Sequence, residues 1–250
     1  MESQAERIQD GEVFVHDIGG HPLEGGGQVR RGLLYRFSGA LLTDLDWETM
    51  AQARLRLVVD LRGRDEDRAA LKRWAGAHLV DYHHEPIEVG RPELLAAWGS
   101  GMAPDDATGQ LGGLYRHVID DHGPRLAAAV GLMSRNLPAA FGCAAGKDRT
   151  GVLAAMVLGL LGVESGDIAR HYAAAPPPPD RLAPLARRWK PNAGALSPGT
   201  RAMLGAPPGI MLATLAYVTE RYGGIGACLE HFGLERARAD ALRQALIATE

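Results

Sequence analysis

The sequence predicts an α/β protein with a central, mostly parallel sheet flanked by helices. Three observations carry this. Short β-branched runs such as "LRLVVDLRG" (residues 55–63) alternate with stretches of helical apolar spacing. Strands interleaved with helices require helices packed on the sheet's two faces. At 250 residues, 46% hydrophobic and 23% charged, the chain is long enough to bury such a core.

Each element has a local reason. "EVFVHDIGG" is a strand running into a glycine turn, and "GLLYRFSGAL" is a second strand. Asp17 fits turn chemistry in the first. Thr43 is placed to cap a helix over "DLDWETMAQAR". "HLVDYHHEPIEV" continues the strand series after "LRLVVDLRG". "TGQLGGLYRHVIDDHGPRLAAAVGLMSRN" then spaces Leu111, Leu114, Val118, Leu126, Val130 and Met133 as on a helix, with Pro124 between the two groups. "PAAFGC" is a further strand, and the helix "RTGVLAAMVLGLLG" leaves the loop behind it, followed by the short helix "GDIARHYAAA". Residues 176–209 hold nine of the 15 prolines. They form an irregular excursion within one domain (1–250), a Pro-rich lid or insertion over residues 174–210 with short helices at "DRLAPLARRW" and "GTRAMLG". Helical patterning returns in "IMLATLAYVTERYGG", "IGACLEHFG" and "ERARADALRQALI".

Bulk properties exclude several classes. Net charge is −3, giving no polyanion-binding signature and hence no nucleic-acid partner. The longest apolar run, Val152 to Val163, is too short for a transmembrane segment. The start, "MESQAERIQDGE", lacks the character of a secretory signal. Cys143 and Cys228 cannot build a disulfide framework, so a reducing, cytoplasmic setting is expected.

The chemistry concentrates in "CAAGKDRTG". Cys143, five residues, then Arg149 is a C-x5-R spacing between a strand and a helix. Five residues there can curl so that backbone N–H groups point at one centre, to which the helix N-terminus adds positive potential. Such a cradle suits a tetrahedral dianion. Arg149 closes it with a planar fork, and the same field favours the Cys143 thiolate. Nucleophile and phosphate site then coincide, which implies phosphoryl transfer to sulfur. A Walker A loop is the competing reading of "GK", but Gly142 to Gly146 leaves three intervening residues rather than four, and Asp148 stands where Ser or Thr should ligate magnesium. A buried free cysteine beside a charged turn is the bland reading; the strand, Gly146, the Thr150-Gly151 pair and the following helix argue against it.

With these residues in view, "CAAGKDRTG" resembles the signature C-x-x-G-K-D-R-T-G of bacterial tyrosine-phosphatase-like, cysteine-dependent phosphatases, a group that includes atypical dual-specificity and lipid phosphatases. "FVHDIGG", "GQVRRGLLYRFSGALL", "LVVDLRGRDED", "GLYRHVIDDHGPRLAAAV", "LLGVESGDIARHYA" and "AYVTERYGGIGACLEHFGL" resemble that family's segments in the same order. Only residues 87–106 and the Pro-rich excursion diverge. The resemblance implies a single α/β domain, no cofactor, no metal, and hydrolysis of phosphate monoesters (protein phosphotyrosine, phosphoinositides or a small phosphorylated metabolite) through a phosphocysteine. Cys143 would be the nucleophile and Arg149 the oxyanion clamp. Ala144, Ala145, Gly146, Lys147 and Asp148 would supply backbone donors, and the Thr150 hydroxyl would stabilise the departing thiolate. Asp148 is either the general acid or a charge partner of Lys147 or Arg149; Lys147 would add a cation beside the pocket.

Two departures from the family pattern stand out. Gly142 replaces the histidine that usually precedes the cysteine and buttresses the loop, which keeps a phosphate-binding pseudophosphatase open as an alternative. His171 replaces an acidic residue in "IARHYAAA". Secondary candidates are Asp60 and Arg62 in "VVDLRG", as a local Asp–Arg pair or as substrate contacts, and Glu88, with Glu85, as a loop acid or a solvated carboxylate. His83 and His84 face opposite sides of a strand and cannot share one ion. Arg181, Arg187, Arg188 and Lys190 either greet an anionic substrate at the rim or lie on a solvated helix face, and Cys228 fits a core.

Overall fold

The computed structural model describes residues 13–89, 104–189 and 198–248. Five strands form one sheet in the order β1 (Val15–Asp17), β3 (Leu34–Ser38), β6 (Ala139–Cys143), β4 (Leu57–Asp60), β5 (Asp81–His84). β1 runs antiparallel to β3, and every other neighbouring pair is parallel. β6 therefore lies between β3 and β4, with Ser38 opposite Cys143 and Asp60 opposite Gly142. Its carboxyl end opens where ligands meet parallel sheets.

The central strands β4 and β6 are buried along their whole length, covered on both sides, which explains their apolar runs, whereas edge strand β5 is exposed at alternate residues. Val58, Phe37 and Ala140 face one cluster, completed by Met50 of α1 (Asp44–Gln52) and Leu71 of α2 (Ala69–Ala77). Leu57, Val59, Ala139 and Phe141 face the larger cluster. It contains Leu111, Val118, Leu126 and Val130 of α3 (Pro104–Met133) and the apolar body of α4 (Asp148–Leu161). Around these pack α5 (Ser165–Ala174), α8 (Pro208–Tyr222), α9 (Ile225–His231) and α10 (Arg236–Leu246).

Thr43 caps α1 as expected: its hydroxyl accepts from the Asp46 N–H while the Asp46 carboxylate accepts from the Thr43 N–H at 2.9 Å. Pro124 sits inside a continuous α3 instead of dividing it. The sequence patterns did not disclose α2, nor a two-stranded ribbon that pairs β2 (Gln28–Val29) with β7 (Ile247–Ala248). The Pro-rich excursion contributes α6 (Pro179–Trp189), where Leu182 and Ala183 are buried, and α7 (Pro198–Leu204). No helix among the described residues is long and apolar enough to cross a membrane. The opening residues read against a secretory signal, and Lys190, lie outside the described residues, as do the side chains of Arg187 and Arg188.

Candidate active site

The loop after β6 is shaped from the outside. The Cys143 carbonyl accepts from Gly39 N–H at 2.7 Å and the Ala144 carbonyl from Ala40 N–H at 3.0 Å. Ala145 O accepts from the Ser38 hydroxyl at 2.9 Å, Gly146 O from Arg36 Nη2 at 2.6 Å, and Lys147 O from Gly151 N–H at 2.8 Å. With these successive carbonyls held outward, no acceptor among the described residues meets the N–H groups of Ala144, Ala145 or Gly146. That is the donor arrangement of an anion-binding nest.

Two glycines permit it. Gly146 has φ +64°, in the left-handed region, and a Cβ there would lie 2.3 Å from Ser38 Oγ. Gly142 is pressed against Phe37: a Cβ would lie 2.4 Å from both the Phe37 ring and its carbonyl oxygen. The ring of Phe37 occupies the space that a side chain at position 142 would need.

Cys143 is buried, and Thr150 Oγ1 donates to its sulfur at 3.1 Å. Arg149 reaches from the first turn of α4 to Leu61 O (3.3 Å) and Ile87 O (3.2 Å), and its fork meets Glu66: Nη2 lies 3.0 Å from Oε1, and Nη1 contacts Oε2. Burial works against the Arg149 charge, but Cys143 and Glu66 outweigh it and hold the guanidinium above its ordinary value. Burial likewise pushes the Glu66 carboxyl up, and the Arg149 contact overrides this to hold it below the usual carboxylate range.

Asp148 Oδ1 accepts from Tyr115 OH at 2.7 Å and lies 2.9 Å from Lys147 Nζ. Tyr115 also meets the hydroxyl of Tyr172, and burial, then Asp148, pushes its phenol well above the ordinary value. Lys147 is buried and donates to Gly205 O at 2.9 Å, so it ties the loop to the chain beyond α7.

A cavity of about 320 Å³ opens beside the loop, lined by Ala40, Arg62, Asp65, Glu66, Asp67, Ala144 and Leu185. Asp60 and Arg62 form a buried pair with Arg62 Nη2 2.6 Å from Asp60 Oδ2, and Tyr82 OH also donates to Asp60. This is the local structural arrangement, yet Arg62 still borders the cavity. Glu88 is exposed and accepts from Arg64 N–H at 3.0 Å, while Glu85 pairs with Arg125. Asp17 accepts from the N–H groups of Gly19 and Gly32. His84 Nε2 contacts Arg62 O at 2.7 Å, and His83 borders a separate groove. Cys228 is fully buried, its thiol pushed up to about 12 by burial and then by Asp120. Arg181 is exposed on α6.

Sequence reasoning missed Arg36, Glu66, Tyr115 and Tyr172. Glu66 sits in the quoted "LRGRDED" and Arg36 in "LLYRFSG", where an arginine inside an otherwise apolar strand was the available signal.

The sequence model of a family described as the tyrosine phosphatase family matches residues 14–248. Among similar proteins, a Cupriavidus necator chain named provisionally as a tyrosine-protein phosphatase is 31% identical over 169 residues, covering 63% of this chain and 58% of the relative. A tyrosine-protein phosphatase of Nostoc commune is 27% identical over 215 residues, covering 81% of this chain and 69% of the relative. This chain therefore spans little more than half the length of the first relative and about two thirds of the second. The core catalytic domain of the PP-IP phosphatase SIW14 from S. cerevisiae, solved with citrate, aligns with 71% of this chain and 79% of its own, at 14% identity and a TM-score of 0.38, a likeness too loose to carry an argument. Because the family match runs through the sheet and the helices on both its faces instead of stopping at the loop, this chain belongs to the tyrosine phosphatase family.

Proposed function

We propose that the protein hydrolyses phosphate monoesters through a phosphocysteine at Cys143. The observation that carries this reading is the run of outward-held carbonyls from Cys143 to Lys147, beside a buried thiol, with no acceptor among the described residues meeting the N–H groups of Ala144, Ala145 or Gly146. In the first step the Cys143 thiolate attacks phosphorus, the bond to the ester oxygen breaks, and the leaving oxygen takes a proton from Asp148. Arg149 and the loop N–H groups of Ala144, Ala145, Gly146, Lys147 and Asp148 hold the equatorial oxygens. In the second step Asp148 accepts a proton from the attacking water, the phosphorus–sulfur bond breaks, and Thr150 receives the returning thiolate with its hydrogen bond.

Asp148 suits both steps because Tyr115 and Lys147 both bind Oδ1, leaving Oδ2 to carry the transferred proton. Glu66 is the resting partner that keeps the Arg149 fork extended. Leu185 places α6 against the cavity, which supports reading the Pro-rich excursion as its cover.

The test is steady-state hydrolysis of a panel holding an aryl phosphate, a phosphotyrosine peptide, phosphoinositides, and sugar and nucleoside phosphates, with chelator present. Cys143→Ser is expected to lower the rate by on the order of 10³-fold or more, and chelation to leave it unchanged. Phosphate binding without turnover on any substrate would instead establish a pseudophosphatase.

A further inference from the structure

Arg36 is the most deeply buried cation near the loop. It projects from β3, is 1% exposed, and donates from Nη2 to the Gly146 carbonyl and from Nη1 to His171 Nε2 at 3.1 Å. Arginine can only donate, so His171 accepts at Nε2 and carries its proton on Nδ1. That nitrogen lies 3.2 Å from His21 Nε2, which accepts in turn. The chain Arg36–His171–His21 is therefore neutral beyond its first member.

His171 of α5 contacts Arg36 directly, and the parallel register sets Arg36 opposite Phe141 and Ser38 opposite Cys143, so the thiol lies one strand over and two residues along. Tyr172 of α5, Tyr115 of α3, His16 of β1 and Cys143 are the other titratable groups whose charge acts with that of Arg36. No carboxylate among the described residues ion-pairs with it: Asp148 is engaged by Lys147 and Tyr115, and Glu66 by Arg149. Burial pushes the guanidinium down to about 10, and Cys143 is foremost among the groups that hold its charge. Burial and then Arg36 drive His171 well below its ordinary value, so it offers no charge of its own.

A guanidinium withdrawn from water without an anion costs several kcal/mol. We propose that Arg36 is a positioning residue whose counter-charge is the Cys143 thiolate, and that a neutral side chain at position 171 keeps this charge directed at the loop. A carboxylate at position 171 would pair with Arg36 directly and withdraw that support. This rests on Cys143 being the nucleophile.

The test is the pH dependence of iodoacetamide alkylation, read by mass spectrometry on the Cys143 peptide, for the wild type, His171→Glu and His171→Gln. Glu is expected to raise the alkylation midpoint by about one pH unit, equivalent to about tenfold in thiolate population. Gln, a neutral acceptor, is expected to leave it in place. The pH profile of kcat/KM should move with the Glu variant in the same sense, losing most at acidic pH. An unmoved midpoint in His171→Glu, or an equal movement in His171→Gln, overturns the proposal. Should His171→Glu fail to fold, Arg36→Lys and Arg36→Gln decide: the midpoint rises with Gln and not with Lys, and equal midpoints refute it. Alkylation needs no turnover, so a shifted midpoint in a protein without hydrolytic activity would sustain this inference while removing the proposed reaction.

Discussion

Asp148 and Glu66 each hold a carboxylate against a cation of the loop, Lys147 and Arg149 respectively. If Asp148 transfers protons, Asp148→Asn should cost on the order of 10²-fold or more in kcat on an alkyl phosphate and far less on an aryl phosphate whose leaving group needs no proton. A loss equal on both substrates would identify Asp148 as only a partner of Lys147. Glu66 has its carboxyl held below the ordinary 4.5 by Arg149, against the opposing effect of burial. A depressed carboxyl stabilises the fold fully above its unfolded value, and that contribution is lost as pH falls through the folded value. The melting-temperature gap between wild type and Glu66→Gln should therefore be widest near neutrality and close below pH 4.5; a gap independent of pH would exclude the ion pair as its source.

At the scale of elements, the contact between β3 and β6 decides the chemistry of the loop. The parallel register sets Phe37 against Gly142 and Ser38 against Cys143, so the strand that fills the space beside Gly142 also anchors the loop through the Ser38 hydroxyl and Arg36. Gly142→Ala should destabilise the protein by about 1–3 kcal/mol, because the added methyl meets backbone as well as ring. Chemical denaturation measures this. Gly142→Ala combined with Phe37→Leu should recover part of the loss, since the ring contact is relieved while the carbonyl contact remains. α4 contributes differently: its first turn carries Asp148, Arg149 and Thr150, and its remainder is almost wholly buried, so the side chains proposed for catalysis stand on a rigid support.

The whole molecule holds a second titration. Burial, then the Arg36 charge, pushes His16 down to about 4, while its Nε2 contacts Ala175 O at 3.0 Å and its Nδ1 has no hydrogen-bond partner among the described residues. The ring is neutral when folded and takes a proton below 6.5 when unfolded. Stability is thus complete above pH 6.5 and declines as pH falls toward 4, by on the order of 3 kcal/mol across that window. His171, depressed by the same causes, adds to the decline. Melting temperature measured from pH 7.5 to 5 should fall steeply in the wild type and less so in His16→Gln; parallel slopes would assign the decline elsewhere.

By itself the sequence determined the α/β class, most elements, the cap at Thr43, and the loop from Cys143 to Thr150. These are local: periodicity, capping and short-range spacing are written within a dozen residues, and the C-x5-R loop joins a strand to a helix without help from elsewhere. Tertiary structure alone decided which distant groups meet there. Arg36, Glu66, Tyr115 and Tyr172 come from four separate elements or loops, and only the order of strands, with β6 between β3 and β4, brings them to one loop. The same order sets Phe37 against Gly142, where its ring fills the space a side chain would take. It also makes Lys147, expected as a cation beside the pocket, a buried tie to Gly205. Such partnerships depend on burial, where a charge must find its counter-charge across the fold, and no spacing along the chain records that.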